Sequence, residues 1–332
     1  MQLPYKSNVL KGLNGRPLKL LIGGSPCSFW SISQNKDKRE IEASGQGWEL
    51  FRNYLIAKDK FKPDFFLYEN NKSAAKSIRE QISKELKVDL MYINSSLVSA
   101  QNRQRFYAHN IKNVSCPNDR GIHLKDILQS GYVPNNKSYC IDANYYKGGN
   151  LKSFFEKHRR QLVFEVPSAF NDKEFDEKDF EQQLILLHDN WMDLEKTIKQ
   201  NTVLYKLKDG TNFFVRNLTP VECERLQTLP DGYTEGISNT QRYKCIGNGW
   251  TAEIIIHILS RINIPKDYPI EVLSMYDGIA TGRYCLDKLG FTNVTYKAYE
   301  IDKYAIQVAL KNYSDIIQCG DAFKVRENTW EY

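Results

Sequence analysis

The chain has 332 residues, 41% hydrophobic and 26% charged, with a formal net charge of +6. That length can bury a full core, and one large domain with a smaller one attached is the natural expectation. No apolar run reaches the ~20 residues a membrane span needs, and seven cysteines without a C-x-x-C pair, with five dispersed histidines, point to neither a disulfide framework nor a metal site. Reduced thiols, and no apolar segment after Met1, give the expectation of a cytoplasmic protein. The mild positive charge permits a polyanionic partner without requiring one.

Residues 1–16 are a polar lead-in. Leu18 to Ile22 then reads as a buried strand, broken by Gly23-Gly24 ahead of Ser25-Pro26-Cys27. This puts the Cys27 thiol on a loop at the carboxyl end of a strand, the edge where open α/β sheets gather their chemistry. Alone, the same thiol reads equally well as a small buried hydrophobe. Trp48, Phe51, Tyr54 and Leu55 have a helical period that Pro63 stops. Asp64 to Tyr68 is a second strand, ending on Glu69-Asn70-Asn71; a helix from about Ser73 to Leu86 leads to a strand at Leu90 to Asn94 and an extended segment at Gln101 to Tyr107. Strands alternating with helices predict an α/β sheet of the doubly wound kind.

That rhythm fades between about Lys112 and Asn212, where glycine loops and charge runs predict a separate, smaller module. It returns at Thr219-Pro220-Val221-Glu222, a capping box with proline at the first helical position. Ile246-Gly247-Asn248-Gly249-Trp250 opens an apolar helix from Thr251 to about Ile262. The last block is a strand at Glu271 to Tyr276, a glycine-rich turn, a helix, a strand at Val294 to Tyr299, a helix from Lys303 and a strand near Ile316.

The turn Tyr276-Asp277-Gly278-Ile279-Ala280-Thr281-Gly282, between strand and helix, suits a nucleotide but lacks both the G-x-G-x-x-G fingerprint and a Walker lysine. Glu300 ends the next strand, where a carboxylate can accept both ribose hydroxyls, and Asp321 ends the third, where it can accept from an exocyclic amine. Together, without phosphate-binding residues, they suggest an adenosine ligand lacking phosphates, S-adenosylmethionine above all. Singly, each acid reads as an ordinary loop residue. So does Glu69, and Arg103 with Arg105, sharing one side of an extended segment, reads alone as a surface pair.

Taken in series, GGSPC, YENN, QNRQR, RNLTPVECERLQTLP and IGNGW resemble the motifs of the DNA (cytosine-5) methyltransferases. MYDGIATG is similar to that family's cofactor turn, above all in the mammalian de novo enzymes. The resemblance implies a Rossmann-like methyltransferase sheet with an inserted target-recognition domain. In the usual member the cofactor turn comes first; here it follows IGNGW, so the chain resembles a circularly permuted member, with Met1 and Tyr332 expected on one side of the fold. The implied division is a catalytic half at 1–112, target recognition at 113–213, a return to the catalytic domain at 214–264, and the cofactor half at 265–332. Asn71 stands where the family has valine, and Ser28 where many members have glutamine.

By the same resemblance Cys27 is the nucleophile that adds to cytosine C6, its thiolate favoured if Arg103 and the loop amides lower its pKa. Glu69 contacts N3 and the exocyclic amine, Arg105 steadies Glu69, Arg103 contacts the base or its phosphate, and Pro26 and Asn70 shape the loop. Tyr276 to Gly282 hold the methionine part of the cofactor and Glu300 its ribose. Ile301 and Trp250 pack on the adenine, Asp321 beside Ala322 accepts from its amine, and Asn248 closes the pocket. The implied partner is double-stranded DNA with its base swung out. Lys112, Arg120, Lys137, Lys147, Arg159 and Arg160 are candidate phosphate contacts. A transfer-RNA methyltransferase and a silent DNA-binding homologue stay open, as do a restriction endonuclease partner and a homodimer, in a bacterial or phage-infected cell.

Overall fold

A seven-stranded sheet organises the computed structural model, which describes residues 12–31, 36–167, 176–199 and 202–332. Along the chain it takes β1 (Leu18–Gly23), β2 (Phe65–Asn71), β3 (Leu90–Asn94) and β4 (Gln104–His109). A second, four-stranded antiparallel sheet follows, of β5 (Leu162–Glu165), β6 (Glu195–Lys199), β7 (Thr202–Lys206) and β8 (Asn212–Asn217). The large sheet is completed by β9 (Ile270–Met275), β10 (Val294–Tyr299) and β11 (Ile317–Gly320). Its spatial order is β11-β10-β9-β1-β2-β4-β3, with β4 alone antiparallel to its neighbours.

From β1 the chain winds one way, through β2, and from β9 it winds the other way, through β10 and β11. Strand order therefore reverses between β1 and β9, which pair in parallel from Leu18↔Ile270 to Gly23↔Met275. In open α/β sheets the crevice outside the carboxyl ends at such a reversal is the place for ligands. The order also puts the chain's last strands beside its first. Tyr332 stacks edge-on against Phe61 at 5.0 Å and accepts a hydrogen bond from Lys19 Nζ at 3.0 Å, beside the start of β1. Met1, expected on that same side, lies outside the described residues.

The strands are apolar on both sides because both faces are covered. Leu18, Leu20 and Ile22 point to one face and Leu21 to the other. Helices α1 (Gly45–Phe61) and α2 (Lys76–Leu86) cover the Leu21 face. α2 starts three residues later than its spacing suggests, because Ala74 N–H is taken by the carbonyl of Asn71 in a turn. In the four-stranded module α3 (Leu151–Phe155) and α4 (Glu177–Asn190) pack on β5 and β8 around Phe154, Phe164 and Phe213. α5 (Pro220–Leu226) and α6 (Asn239–Asn248) carry the return to the large sheet. Its second face is covered by α7 (Ala252–Leu259), α8 (Thr281–Lys288) and α9 (Lys303–Asn312). Burying one such leucine or isoleucine side chain contributes roughly 1.5–3 kcal/mol. No helix among the described residues is long and apolar enough to cross a membrane.

One ion cluster fixes the small sheet to the return segment. The capping box at Thr219 and Glu222 forms as its sequence predicts. The Glu222 carboxylate, fully buried, then accepts from Arg216 Nη1 at 2.8 Å and Nη2 at 2.9 Å, while Arg216 Nε reaches Glu165 at 2.7 Å. Removing one member of a buried pair strands the other's charge in low dielectric, at about 3–5 kcal/mol. We expect Arg216→Met to lower stability by roughly that amount, measured by urea denaturation, and an unchanged midpoint would refute this account of the junction.

Candidate active site

Five loops meet at the edge where β1, β2, β9, β10 and β11 end, and most residues singled out above lie on them. After β1, Ser25 Oγ and Tyr68 OH share a 2.7 Å hydrogen bond, and Asn70 Nδ2 donates to the Ser25 carbonyl at 3.0 Å. Pro26 is exposed and opens a 3-10 turn at Cys27–Phe29. Trp30 closes that turn from the buried side, its indole N–H on Glu40 at 3.0 Å. Cys27 is thus half-buried between two anchored residues.

Beside it, Glu69 is 9% exposed at the end of β2. Arg105 Nε stands 2.9 Å from its Oε1, and Trp250 Nε1 donates to Oε2 at 3.1 Å. Antiparallel pairing of β4 explains the arginine, since Asn71↔Arg105 brings the start of β4 to the end of β2. A Cβ on Gly24 would meet the Glu69 carbonyl at 2.8 Å, Glu69 Oε2 at 3.2 Å and Trp250 Nε1 at 3.3 Å. Only glycine lets the Pro-Cys loop come this close to the carboxylate.

Burial dominates the electrostatics. It pushes the Glu69 carboxyl above the usual carboxylate range, against the pull of Arg105, Arg103 and the two hydrogen bonds. It also raises the Cys27 thiol, which Arg105 opposes more than Arg103, while Glu69 and Cys140 raise it further. The sequence-based expectation of a thiolate favoured by Arg103 is corrected accordingly: desolvation outweighs both guanidiniums.

Arg103, 4% exposed, spends its donors on the protein. It holds the carbonyls of Ile141 at 2.9 Å, Gly247 at 3.2 Å and Gly249 at 2.8 Å. Gln227, also buried, adds hydrogen bonds to Ile246 and Gly249. The 247–250 loop is thereby pinned between Glu69 and the turn after β9, where Gly249 faces Ile279. Asn248 is exposed at the end of α6. Trp250, which the resemblance sets on an adenine, has its indole N–H on Glu69.

The turn after β9 is a tight cradle. Tyr276 and Ala280 take left-handed φ of 60° and 61° although neither is glycine, a strained geometry typical of functional turns. A Cβ on Gly282 would strike Ile22 Cδ1. Tyr276 points away toward α1, donating to the Leu50 carbonyl, while Ile279 and Thr281 are buried. Asp277 Oδ1 accepts from Ser274 and from Tyr296, both at 2.6 Å; Oδ2 is buried without a partner, and burial lifts this carboxyl to about 6. Glu300 binds the turn through Gly278 N–H at 2.8 Å and also takes the amides of Ile301 and Asp302. Ile301 is 72% exposed, and Asp321, followed by buried Ala322, caps the next turn through Phe323 N–H.

Sequence reasoning missed Tyr68, Trp30, Glu40 and Gln227 as supports. Tyr68 precedes Glu69 in the quoted YENN run, and Gln227 lies inside RLQTLP, so both were in view without a signal for their partners.

A family profile described as C-5 cytosine-specific DNA methylase matches residues 11–263. DNA (cytosine-5)-methyltransferase DRM2 of Arabidopsis thaliana is 24% identical over 268 residues, covering 78% of this chain and 40% of that protein. Its namesake from Oryza sativa is 28% identical over 116 residues, 34% of this chain and 19% of that protein. The type II methyltransferase M.FnuDI of Fusobacterium nucleatum is 26% identical over 273 residues, 73% and 75% of the two chains. The chain thus spans less than half the length of the two plant relatives. A crystal structure of a Spodoptera frugiperda DNMT2 mutant aligns over 78% of this chain and 83% of its own at a TM-score of 0.41 and 16% identity. With more than half its length matched by the profile, this chain belongs to the C-5 cytosine-specific DNA methylase family.

Proposed function

We propose that this chain transfers a methyl group from S-adenosylmethionine to C5 of a cytosine swung out of duplex DNA, through a transient bond between Cys27 and C6. The observation that carries this is the half-buried thiol beside a buried carboxylate that Arg105 and Trp250 hold in place. C5 of cytosine is a poor nucleophile. A thiolate adding to C6 pushes the ring electrons toward C5 and N3, which makes C5 reactive. Glu69, its carboxyl pushed up by burial, supplies a hydrogen bond or proton at N3 as charge collects there. After C5 takes the methyl, a base or water removes its proton, the C6–S bond breaks, and Cys27 leaves as thiolate. Swinging the base out costs a few kcal/mol of stacking, which contacts of the inserted module with the duplex offset.

The turn after β9 suits the cofactor on its own chemistry. The unpartnered Asp277 Oδ2 can receive an ammonium, the Glu300 carboxylate keeps lone pairs for ribose hydroxyls, and exposed Ile301 offers an apolar face to a purine. The bound cofactor would supply an electrophilic methyl on a sulfonium sulfur. Two observations support the circular permutation: the profile match stops at 263, before the cofactor half, and Tyr332 lies beside β1. A cytoplasmic setting belongs to the same proposal and draws on the bacterial type II relatives.

Two measurements test the site. Duplex DNA carrying 5-fluorocytosine, whose fluorine cannot leave as a cation, should trap a denaturation-resistant complex with the wild type and none with Cys27→Ser. Cofactor affinity should survive that substitution, and Glu69→Gln should slow transfer roughly 10²–10⁴-fold. Label delivered only to transfer RNA would overturn the DNA assignment. The second measurement concerns Asp277. Its carboxyl is raised from 3.8 to about 6, so the folded chain keeps this proton longer than the unfolded chain, and stability falls as pH rises through that window. Asp277→Asn keeps the Oδ1 acceptor and removes the loss. Its melting temperature should exceed that of the wild type above pH ~6 and converge with it below pH ~4; an offset independent of pH would refute the burial argument.

A further inference from the structure

The cations of the inserted module divide by what they touch. Lys137 gives its ammonium to the carbonyls of Ser96, Ser99 and Ile122 at 2.7, 3.1 and 2.7 Å. Arg120 pairs with Glu253 at 2.6 Å. These two are committed to the protein itself.

Lys152, Lys157 and Arg159, with Arg160, whose Nη1 also donates to the Asn144 carbonyl, instead surround a recess of about 270 Å³ whose opposite wall is Gly148-Gly149. A Cβ on Gly149 would stand 2.8 Å from the Arg160 Cβ and 2.9 Å from its carbonyl oxygen, so the two walls touch through backbone. Within the 157–160 turn both His158 and Arg160 take left-handed φ, 47° and 61°, a strained conformation that only its surroundings can impose. Gly149 N–H is anchored on Asn217 Oδ1 at 3.1 Å, which ties the recess to the end of β8. The nearest acids reach only the margin of ion pairing: Glu156 at 4.0 Å from Lys152 and Asp142 at 3.9 Å from Arg160. Lys157 and Arg159 are exposed and have no carboxylate partner among the described residues.

Two further features point to a sugar-phosphate chain rather than a free ion. A second recess, of about 460 Å³, shares Gly149 and Asn150 with the first and is floored by Tyr205, Phe214 and Val215, a surface suited to a sugar. A strip of chain, residues 141–147, also links the recess, through Asp142 beside Arg160, to the catalytic cleft. The strip starts at Ile141, whose carbonyl Arg103 holds, and at Asp142, whose backbone packs on Gly247. It continues at Tyr146, with Lys147 and Lys244 at 5.8 and 5.4 Å from its ring.

Resting on the methyl transfer argued above, we propose that the Gly149–Arg160 recess holds a backbone phosphate of the DNA duplex flanking the target base, with Lys157 and Arg159 as its free cations. A phosphate there positions the duplex without reading its sequence.

The test is binding of the full chain to a mixed-sequence DNA duplex at increasing KCl, for wild type, Lys157→Gln/Arg159→Gln and a control, Lys76→Gln/Lys84→Gln on α2, with the same change of charge. Losing a phosphate contact should make the slope of log affinity against log salt shallower by about 1. We expect that change in the recess variant alone, with cofactor affinity as in the wild type. An unchanged slope in the recess variant, or an equal change in the control, overturns the recess while methylation by the wild type keeps the proposed function standing. A slope change seen only with duplex RNA overturns the assignment to DNA. A wild type that neither binds nor methylates duplex DNA overturns both proposals.

Discussion

Parallel pairing of β1 with β9 is the constraint on which the rest of the structure depends. Six residues on each strand run in register, so the loops after Gly23 and after Met275 leave the sheet side by side. One carries Cys27 and the other the Asp277 cradle. The neighbouring pairings add Glu69 from β2 and Glu300 from β10 at the same edge. β4, running the other way, begins where the others end, and Arg105 enters the site from its start. A one-residue slip between β1 and β9 would turn the side chains of one strand to the opposite face and part the two loops.

At that edge the protein trades solvation for contact. Glu69 and Cys27 are both drawn out of water and both hold their protons more tightly as a result. For the carboxyl this favours the protonated form, which can donate to a ring nitrogen. For the thiol it is a cost to the proposed mechanism, in which the attacking species would be the thiolate. The guanidiniums of Arg105 and Arg103 pull the thiol the other way, and the first does so while also paired with Glu69. Arg103 acts chiefly through geometry, since the carbonyls it gathers come from the inserted module and from the loop carrying Trp250.

Much of the large sheet was legible as runs of strand length, buried almost throughout in β1 and only in part in β3 and β10. Leu18–Ile22, Leu90–Asn94 and Val294–Tyr299 appear as apolar runs of strand length, and the structure has them within a residue. The capping box at Thr219 was equally plain, because its signal is local. The four-stranded module was not. Its strands alternate with charge, as in Glu195–Lys199, and α4 combines exposed Ile185 and Leu186 with buried Phe180 and Leu184, which blurs any period. Within the site, motif order led to Cys27 and Glu69. It could not give Trp250 on Glu69, 181 positions apart, or the carbonyl cluster around Arg103, because such contacts exist only after folding. Nor could it separate Lys137, bound to three carbonyls, from Lys157, which faces solvent.

The position of β9 also bears on how the chain acquires its shape. β1 sits at the middle of the sheet, yet Leu20 must wait for Val272, roughly 250 residues later, to gain its second neighbour. During synthesis one long edge of β1 therefore stays open while the small sheet and the return segment emerge. Non-local parallel pairing of this kind is slow, and open apolar edges invite association. The segment from β9 onward closes the sheet, and a nascent chain is more exposed to aggregation or to a chaperone before that segment emerges than after it.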